Sequence, residues 1–214
     1  MKHPAKYNTH ILKSISSIIE NPDGICLDIF GGIGGIHKLK EYHPNLITIG
    51  IEIEPEWAID GKCIIANSLF PPIKNNSVDI ICTSPTYGNR MADHFIDNKP
   101  EKSYIRNTYT HIIGRQLSNF NSGKMQWGED YRKFHTKCFY QAFILLKPNG
   151  QLILNIKDHI RNKQRICVTE WYIEMLKSIG FVLNNIIIVE CGGNKFGANP
   201  NRIKYESLID FRKN

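Results

Sequence analysis

The sequence lacks the long apolar runs that mark a membrane-spanning or secreted chain. No hydrophobic segment of its 214 residues approaches the roughly 18 needed to cross a bilayer, and the first residues show no apolar stretch typical of a signal peptide. Hydrophobic residues make up 42% of the chain and charged residues 22%, a balance that supports a core and argues against disorder. We therefore expect one domain over residues 1–214, located in the cytoplasm.

Closely spaced cysteines are also missing. The chain has six cysteines, but they are widely separated and no Cys-x-x-Cys pair occurs, which argues against a zinc site. We expect small core residues at these positions and predict no bound metal: Cys26, Cys63, Cys82, Cys138, Cys167 and Cys191.

Acidic residues are in the minority. There are 20 Asp and Glu against 27 Lys and Arg, so the formal net charge is +7 and the sequence pI is about 9.1. Such a protein attracts a polyanion over roughly a Debye length. A solvated basic surface without a nucleic-acid partner has the same composition, so charge alone leaves both interpretations open.

Apolar runs of strand length alternate with helical patterns along the chain. A first helix begins at Asn8 or Thr9 and carries apolar residues at helical spacing up to Asn21-Pro22-Asp23-Gly24. Strands are predicted at 25–30, 46–51, 63–66, 78–82 and 151–156, and helices at 36–42, 131–146 and 168–179. Two final strands, 182–190 and 205–211, are joined by a loop too short for a crossover helix and should pair antiparallel. The pattern predicts an α/β domain with a mostly parallel sheet.

A cluster of glycines follows the first strand. Residues 28–35 read Asp-Ile-Phe-Gly-Gly-Ile-Gly-Gly, and glycines at the carboxyl end of a strand let the backbone approach a nucleotide-like ligand. Glu52 closes the second strand about 20 residues later, where a carboxylate can accept both ribose hydroxyls. Glu54, two residues further on, is expected to face solvent. A plain strand-to-helix turn and a solvated strand-end acid are the simpler alternatives.

The fourth strand runs into a polar motif, Thr83-Ser84-Pro85-Thr86-Tyr87-Gly88-Asn89-Arg90, which is therefore expected at the same sheet edge as the glycines. It resembles motif IV of S-adenosylmethionine-dependent amino-methyltransferases, Asp/Asn/Ser-Pro-Pro-aromatic, whose Thr-Ser-Pro-Pro-Tyr form is typical of enzymes acting on the cytosine amino group. This chain departs from the motif at Thr86, where the family has proline. Residues 28–35 resemble motif I of the same family, and His3-Pro4-Ala5-Lys6-Tyr7 before a helix resembles motif X.

The resemblance implies a fold, a cofactor and its contacts. The implied fold is a Rossmann-like class I methyltransferase, with a seven-stranded, mostly parallel sheet whose last strand is antiparallel. The implied cofactor is S-adenosylmethionine, with Asp28 near its methionine end. Asn67 stands where the family has a residue, usually an acid, that hydrogen-bonds the adenine edge; a turn residue is the alternative. The cofactor-binding candidates are Tyr7, Asp28, Phe30, Gly31, Gly32, Gly34, Glu52 and Asn67.

The motif suits the chemistry of an exocyclic amine, a poor nucleophile because its lone pair is delocalised into the base. The Ser84 hydroxyl and the Pro85 carbonyl can accept the two amino hydrogens and favour a pyramidal nitrogen. Tyr87 can stack on a base rotated out of its duplex. We therefore assign Ser84, Pro85 and Tyr87 as catalytic residues. Thr86 in place of the second proline keeps the Pro85 carbonyl but removes a stiffening ring.

Residues 88–127 form a polar stretch that is too long for an ordinary connection. It combines basic side chains suited to phosphates with aromatic ones suited to base stacking, so we expect a substrate-contacting insertion; a flexible surface insertion is the alternative. Asp158 or His159, after the fifth strand, can contact the target base; a helix-entry acid and a hydrogen-bonded histidine are the simpler interpretations. The substrate-binding candidates are Thr86, Asn89, Arg90, Asp158 and His159.

Together these features favour methylation of an exocyclic base amino group in DNA. Cytosine N4 is preferred because Ser84, rather than Asp or Asn, opens the motif. The open alternatives are adenine N6 in DNA, a guanine amino group in transfer or ribosomal RNA, and a nonenzymatic subunit that binds the cofactor or DNA. The expected partner is double-stranded DNA and not a membrane. A dimer, a specificity partner and a place in restriction-modification stay open.

Overall fold

The computed structural model describes residues 7–89, 92, 108–191 and 203–214. Its elements, in chain order, are α1 Thr9–Ser16, β1 Ile25–Asp28, β2 Ile47–Glu52, β3 Ile64–Ile65, β4 Val78–Thr83, α2 Tyr109–Ile113, α3 Glu129–Leu145, β5 Leu146–Ile156, β6 His159–Arg161, β7 Gln164–Ile166, α4 Val168–Ile179, β8 Phe181–Glu190 and β9 Tyr205–Lys213. A 3₁₀ helix, Gly35–Glu41, replaces the helix predicted over 36–42.

Seven strands form one sheet in the order β3-β2-β1-β4-β5-β9-β8. Neighbours from β3 to β5 pair parallel, whereas β9 pairs antiparallel with both β5 and β8. The short link between β8 and β9 allows a hairpin but no crossover helix, which places the last strand in the opposite direction. The predicted Rossmann-like α/β fold, a seven-stranded, mostly parallel sheet with an antiparallel last strand, is confirmed.

Helix α1 begins where the sequence predicts. The Asn8 side chain accepts a hydrogen bond from the Ile11 backbone N–H at 2.8 Å, so it caps an otherwise unpaired donor of the first turn. Ile11, Leu12 and Ile15 are buried on the face that packs against the sheet. The helix ends at Ser16, earlier than the predicted stop near Asn21. The residues between Ser16 and Asn21 are not helical.

The central strands bury both faces of the sheet. Leu27 and Ile81 pack on the side of α3 and α4, while their neighbours Cys26 and Ile80 pack against α1 and the 3₁₀ helix. Side chains alternate across a strand, so a strand buried on both faces is apolar throughout. This burial holds the carboxyl ends of β1, β2 and β4 in register along one edge of the sheet.

The cysteines follow the core prediction with one exception. Cys26, Cys63, Cys82 and Cys138 are buried and Cys191 is half-buried. Cys167 is exposed, contrary to the prediction, because it directly precedes α4 at the surface end of the β6–β7 ribbon. All six thiols are free.

The β6–β7 ribbon was not predicted from the sequence, because its two three-residue strands carry no clear alternation of apolar and polar residues.

No helix within the described ranges is long and apolar enough to cross a membrane.

Candidate active site

A cleft opens at the edge of the sheet where β1, β2 and β4 end. Parallel register brings these ends together, since Asp28 of β1 pairs with Gly50 of β2 and Leu27 pairs with Ile81 of β4. The cleft is lined by several residues that the sequence singled out, namely Phe30, Gly32, Glu52, Asn67, Ser84 and Thr86. The glycine turn and the polar motif, 50 residues apart in the chain, therefore share one site.

Asp28 is a buried carboxylate held by three donors. It accepts hydrogen bonds from Thr83 Oγ1 at 2.6 Å, from the Phe30 backbone N–H at 3.0 Å and from the Tyr7 hydroxyl at 3.2 Å. Burial raises its pKa to about 6, while these hydrogen bonds oppose the shift. Burial and the neighbouring Asp28 raise the pKa of Tyr7 well above its usual value. The structure thus brings Tyr7 and Asp28 together, while residues 3–6 lie outside the described ranges.

The glycine turn after β1 has no room for side chains at two positions. A Cβ on Gly31 would lie 2.9 Å from Cys63 Sγ and 3.1 Å from the Gly50 Cα atom, so the turn packs directly on β2. Gly34 has a φ of +76°, a left-handed conformation that L side chains rarely adopt. The turn therefore lies close against β2 and leaves Gly32 and the Phe30 ring lining the cleft.

Glu52, the last residue of β2, also lines the cleft and is buried. Its Oε1 atom accepts a hydrogen bond from the Glu54 backbone N–H at 2.8 Å. Burial raises the pKa of Glu52 to about 7, and the nearby Glu54 carboxylate adds to this shift. A carboxylate kept from water in this way would gain from new hydrogen-bond donors.

Glu54 does not face solvent as predicted; it is fully buried. Its carboxylate accepts hydrogen bonds from Arg115 Nη2 at 2.6 Å, the Ser118 backbone N–H at 2.7 Å and Asn121 Nδ2 at 2.8 Å. These donors keep the pKa of Glu54 below its usual value although burial alone would raise it. The prediction failed because all three partners lie more than 60 residues further along the chain, beyond any local sequence pattern.

Asn67 lies in the turn after β3 and lines the cleft. Its Oδ1 atom accepts a hydrogen bond from the Leu69 backbone N–H at 2.9 Å. This contact is typical of a turn residue, which was the alternative interpretation of Asn67. A role of Asn67 toward an adenine edge stays a prediction.

Two of the three catalytic candidates, Ser84 and Tyr87, belong to a hydrogen-bonded group that the sequence did not reveal. Ser84 Oγ lies 3.2 Å from the Tyr87 hydroxyl, and the Asn155 amide donates to Ser84 Oγ at 3.3 Å. Asn155 Nδ2 also donates to Glu206 Oε2 at 2.9 Å, and the Tyr87 hydroxyl donates to the same oxygen at 3.3 Å. Pro85 is buried next to them. Burial, with the Glu206 carboxylate, raises the pKa of Tyr87 well above its usual value.

Asn155 and Glu206 were missed for different reasons. Asn155 is a polar residue inside the apolar run 152–156, an irregularity that is a sequence signal for a buried hydrogen-bonding role. Glu206 gives no such signal, because it reaches the site only through the antiparallel pairing of β9 beside β5, where Asn155 pairs with Leu208.

Thr86, at the position where the motif that this segment resembles has proline, connects the segment to the residues before α3. Its Oγ1 donates to the Ser122 backbone carbonyl at 3.1 Å and lies 3.0 Å from Ser122 Oγ. The Tyr131 hydroxyl of α3 donates to the Thr86 carbonyl. A proline could make neither side-chain contact, so the departure from the family motif is accompanied by a specific tether.

The structure describes the polar insertion only at its two ends, residues 88–89, 92 and 108–127. The Trp127 backbone N–H donates to the Gly88 carbonyl at 2.8 Å, which brings the two ends together. Asn89 is half-buried and its carbonyl accepts a hydrogen bond from Ala92 N–H at 3.1 Å. The predicted substrate residue Arg90, and the basic and aromatic residues over 93–107, lie outside the described residues.

Asp158 and His159 stand just after β5. Asp158 is buried; its Oδ1 accepts from the Thr169 backbone N–H of α4 at 2.8 Å and its Oδ2 accepts from Arg165 Nε at 2.9 Å. These are the contacts of a helix-entry acid. Both ring nitrogens of His159 are shielded from solvent and have no hydrogen-bond partner in the part of the chain that the structure describes. Burial lowers the pKa of His159, and Arg161 adds to this.

Solved structures with a similar fold include two S-adenosylmethionine-dependent methyltransferases and a protein named TrmN. No protein-family model and no curated protein sequence matches the chain.

A SAM-dependent methyltransferase from Methanosarcina mazei matches 98% of this chain and 99% of its own, with a TM-score of 0.56 and 13% identity. A second one, from Thermotoga maritima, matches 95% and 87%, with a TM-score of 0.54 and 14% identity. TrmN from Thermus thermophilus matches 95% of this chain and 48% of its own length, with a TM-score of 0.52 and 16% identity. Because the sequence identities are so low, these similarities establish the fold alone.

Proposed function

We propose that this protein transfers a methyl group from S-adenosylmethionine to an exocyclic amino group of a DNA base, with cytosine N4 as the first candidate. The observation that carries the proposal is the shared cleft. It places the Ser84 hydroxyl at the same sheet edge as the glycine turn and the Glu52 carboxylate.

The residues at this edge fit the proposed cofactor. Glu52 is a buried, cleft-lining carboxylate suited to accept from the ribose hydroxyls, and the turn at Gly31–Gly34 lies too close to β2 for any side chain at Gly31. Asp28, a buried carboxylate at the end of β1, would bring negative charge near the cationic sulfonium. When bound, S-adenosylmethionine supplies an electrophilic methyl group, and the protein has to present a nucleophile to it.

Ser84 and Pro85 are the groups that we propose make the amine nucleophilic. The Tyr87 hydroxyl donates to Glu206, so Ser84 is able to donate its own hydrogen to Tyr87. The Ser84 oxygen then keeps a lone pair for a hydrogen of the target amine, and the Pro85 carbonyl accepts the other. Tyr87 is proposed to stack on the flipped base. Preorganised acceptors of this kind favour the transition state because they need no reorientation during the reaction.

The direct test is incubation with isotopically labelled S-adenosylmethionine and unmethylated duplex DNA, followed by digestion and mass spectrometry of the nucleosides. We expect labelled N4-methylcytosine. Labelled N6-methyladenine would show that adenine is the target base and would leave the proposed reaction unchanged. Label appearing only in an RNA substrate would overturn DNA as the substrate, and tight cofactor binding without transfer to either would support the nonenzymatic alternative.

Ser84→Ala tests the assignment of the acceptor. We expect methyl transfer to fall on the order of 10²-fold, because one transition-state acceptor is lost, with the cofactor dissociation constant unchanged. Ser77→Ala is the matched control: Ser77 precedes the opposite end of β4 and donates to the Lys74 carbonyl at 2.6 Å. Unaltered turnover of the Ser84→Ala enzyme would show that the reaction occurs in another pocket.

A further inference from the structure

The β6–β7 ribbon is a basic hairpin that stands beside the cleft and has no part in the proposed chemistry. It begins at His159, four residues after Asn155, whose amide contacts Ser84. Because β5 runs parallel to β4, the hairpin leaves the sheet at the same edge as the polar motif. A nucleic acid with one base in the cleft would therefore have its flanking backbone near this hairpin.

The hairpin has a defined shape. Arg161 pairs with Gln164, so its loop consists of the two residues Asn162 and Lys163, with φ values of +50° and +64°. Positive φ at both loop residues is the pattern of a type I′ turn, whose twist matches that of the paired strands. The tip at Lys163 is exposed, as are Gln164 and Arg165 on the returning strand.

Side-chain contacts from both strands fix the hairpin to neighbouring elements. Arg161 Nη2 donates to Gln126 Oε1 in the segment before α3. Arg165 Nη2 forms an ion pair with Asp158 at 2.7 Å and a hydrogen bond with the Tyr205 hydroxyl of β9 at 2.9 Å. The hairpin is thus anchored through both of its strands, and Lys163 at its turn is exposed.

The charge of the hairpin is one-sided. Residues 157–165 contain four cationic side chains and a single carboxylate, that of Asp158, which is buried against Arg165. Among the residues that the structure describes, Lys163 forms no ion pair. An exposed cation held at a fixed turn, with no acid beside it, is suited to a phosphate oxygen.

We propose that the β6–β7 hairpin binds the phosphate backbone of the nucleic acid whose base enters the cleft, with Lys163 as the tip contact. This inference rests on the proposed function, because the cleft defines where the substrate backbone runs. An acidic protein surface would be the competing partner, but it offers no reason for the hairpin to stand at the edge that carries Ser84. Backbone contacts position a substrate without reading its sequence, so the hairpin adds affinity independently of the recognition site.

Lys163→Asn tests the inference without disturbing the turn, because asparagine tolerates positive φ better than lysine. Fluorescence anisotropy with a labelled duplex of mixed sequence, over a series of salt concentrations, measures the affinity and its salt dependence. We expect weaker binding and a slope of log K against log salt that is smaller by about 1, the value for one lost phosphate contact. The control is Lys40→Asn, because Lys40 is another exposed lysine, in the last turn of the 3₁₀ helix that leads to the start of β2.

The outcomes separate this inference from the proposed function. If the native protein binds duplex DNA, and Lys163→Asn and Lys40→Asn weaken this binding equally or not at all, the hairpin assignment is overturned. The DNA substrate then still stands. Binding of RNA of the same sequence in place of duplex DNA, with the loss confined to Lys163→Asn, would support the hairpin and overturn the DNA substrate. Binding of neither nucleic acid would overturn both.

Discussion

At the scale of single residues, the hydrogen-bonded group around Ser84 explains how a weak acceptor can be held in one orientation. A serine hydroxyl rotates freely unless its neighbours fix it. Here the Asn155 amide donates toward Ser84, and the Glu206 oxygen takes the hydrogen of Tyr87. The Ser84 hydroxyl is thereby left one favourable direction for its own hydrogen, toward Tyr87. Glu206 acts on the proposed chemistry through Tyr87 and Asn155, as a positioning residue.

Removal of the Glu206 carboxylate should therefore lower turnover and leave cofactor affinity unchanged. We expect Glu206→Ala to lower kcat about tenfold, the equivalent of one net hydrogen bond. Glu206→Gln keeps one oxygen acceptor and should recover part of the loss. Steady-state kinetics and calorimetry with S-adenosylmethionine check the two quantities, with the exposed Glu190→Gln at the end of β8 as the control. Equal losses in all three variants would rule out a positioning role.

At the scale of elements, the segment before α3 is held to the sheet by Glu54. The carboxylate binds donors of Arg115, Ser118 and Asn121 and is fully buried, whereas Glu56, which binds the same Arg115, is partly exposed. Thr86 adds a second attachment through Ser122. The part of the cleft wall formed by residues 120–123 thus depends on buried polar contacts, and removing one partner of such a contact is costly.

Glu54→Ala should destabilise the protein by about 3 kcal/mol, because several donors lose their acceptor in a buried place. Glu56→Ala removes the other carboxylate that binds Arg115, at a more exposed position. It should lower the free energy of unfolding by less than about 1 kcal/mol. Urea unfolding followed by circular dichroism measures both values. Hydrogen exchange should show the loss of protection concentrated between Arg115 and Lys124. Equal destabilisation by the two variants would contradict the role of Glu54 in holding the segment before α3.

At the scale of the whole molecule, the fold keeps two carboxylates out of water at one edge of the sheet. The pKa of Asp28 is raised to about 6 and that of Glu52 to about 7. A carboxyl group whose pKa is higher in the folded state binds more protons there than in the unfolded chain, so stability falls as pH rises between the two pKa values. Ionisation of these two buried carboxyl groups therefore lowers the stability of the protein at neutral pH. It does so at the place where we propose that the cofactor binds, and such shifted pKa values are common at functional sites.

Glu52→Gln should remove part of this pH dependence. For a pKa shift from 4.5 to about 7, the folded protein should lose on the order of 2 kcal/mol of unfolding free energy between pH 5 and pH 7 through Glu52. Urea unfolding at both pH values should show a smaller loss in Glu52→Gln than in the native protein, and an unaltered loss in the exposed control Glu41→Gln. The same pH dependence in all three proteins would contradict the assigned pKa.

The sequence by itself was enough to derive the alternation of strands and helices, the antiparallel last strand and the meeting of residues 28–35 with Ser84. These depend on local periodicity, on turn residues and on the rule that parallel strands end at one edge. The burial of Glu54, the tether of Thr86, the β6–β7 hairpin and the contacts of Asn155 and Glu206 with Ser84 were decided only by the tertiary structure. Their partners lie far apart in the chain, and a hydrogen bond between distant residues leaves no periodic trace in the sequence of either one.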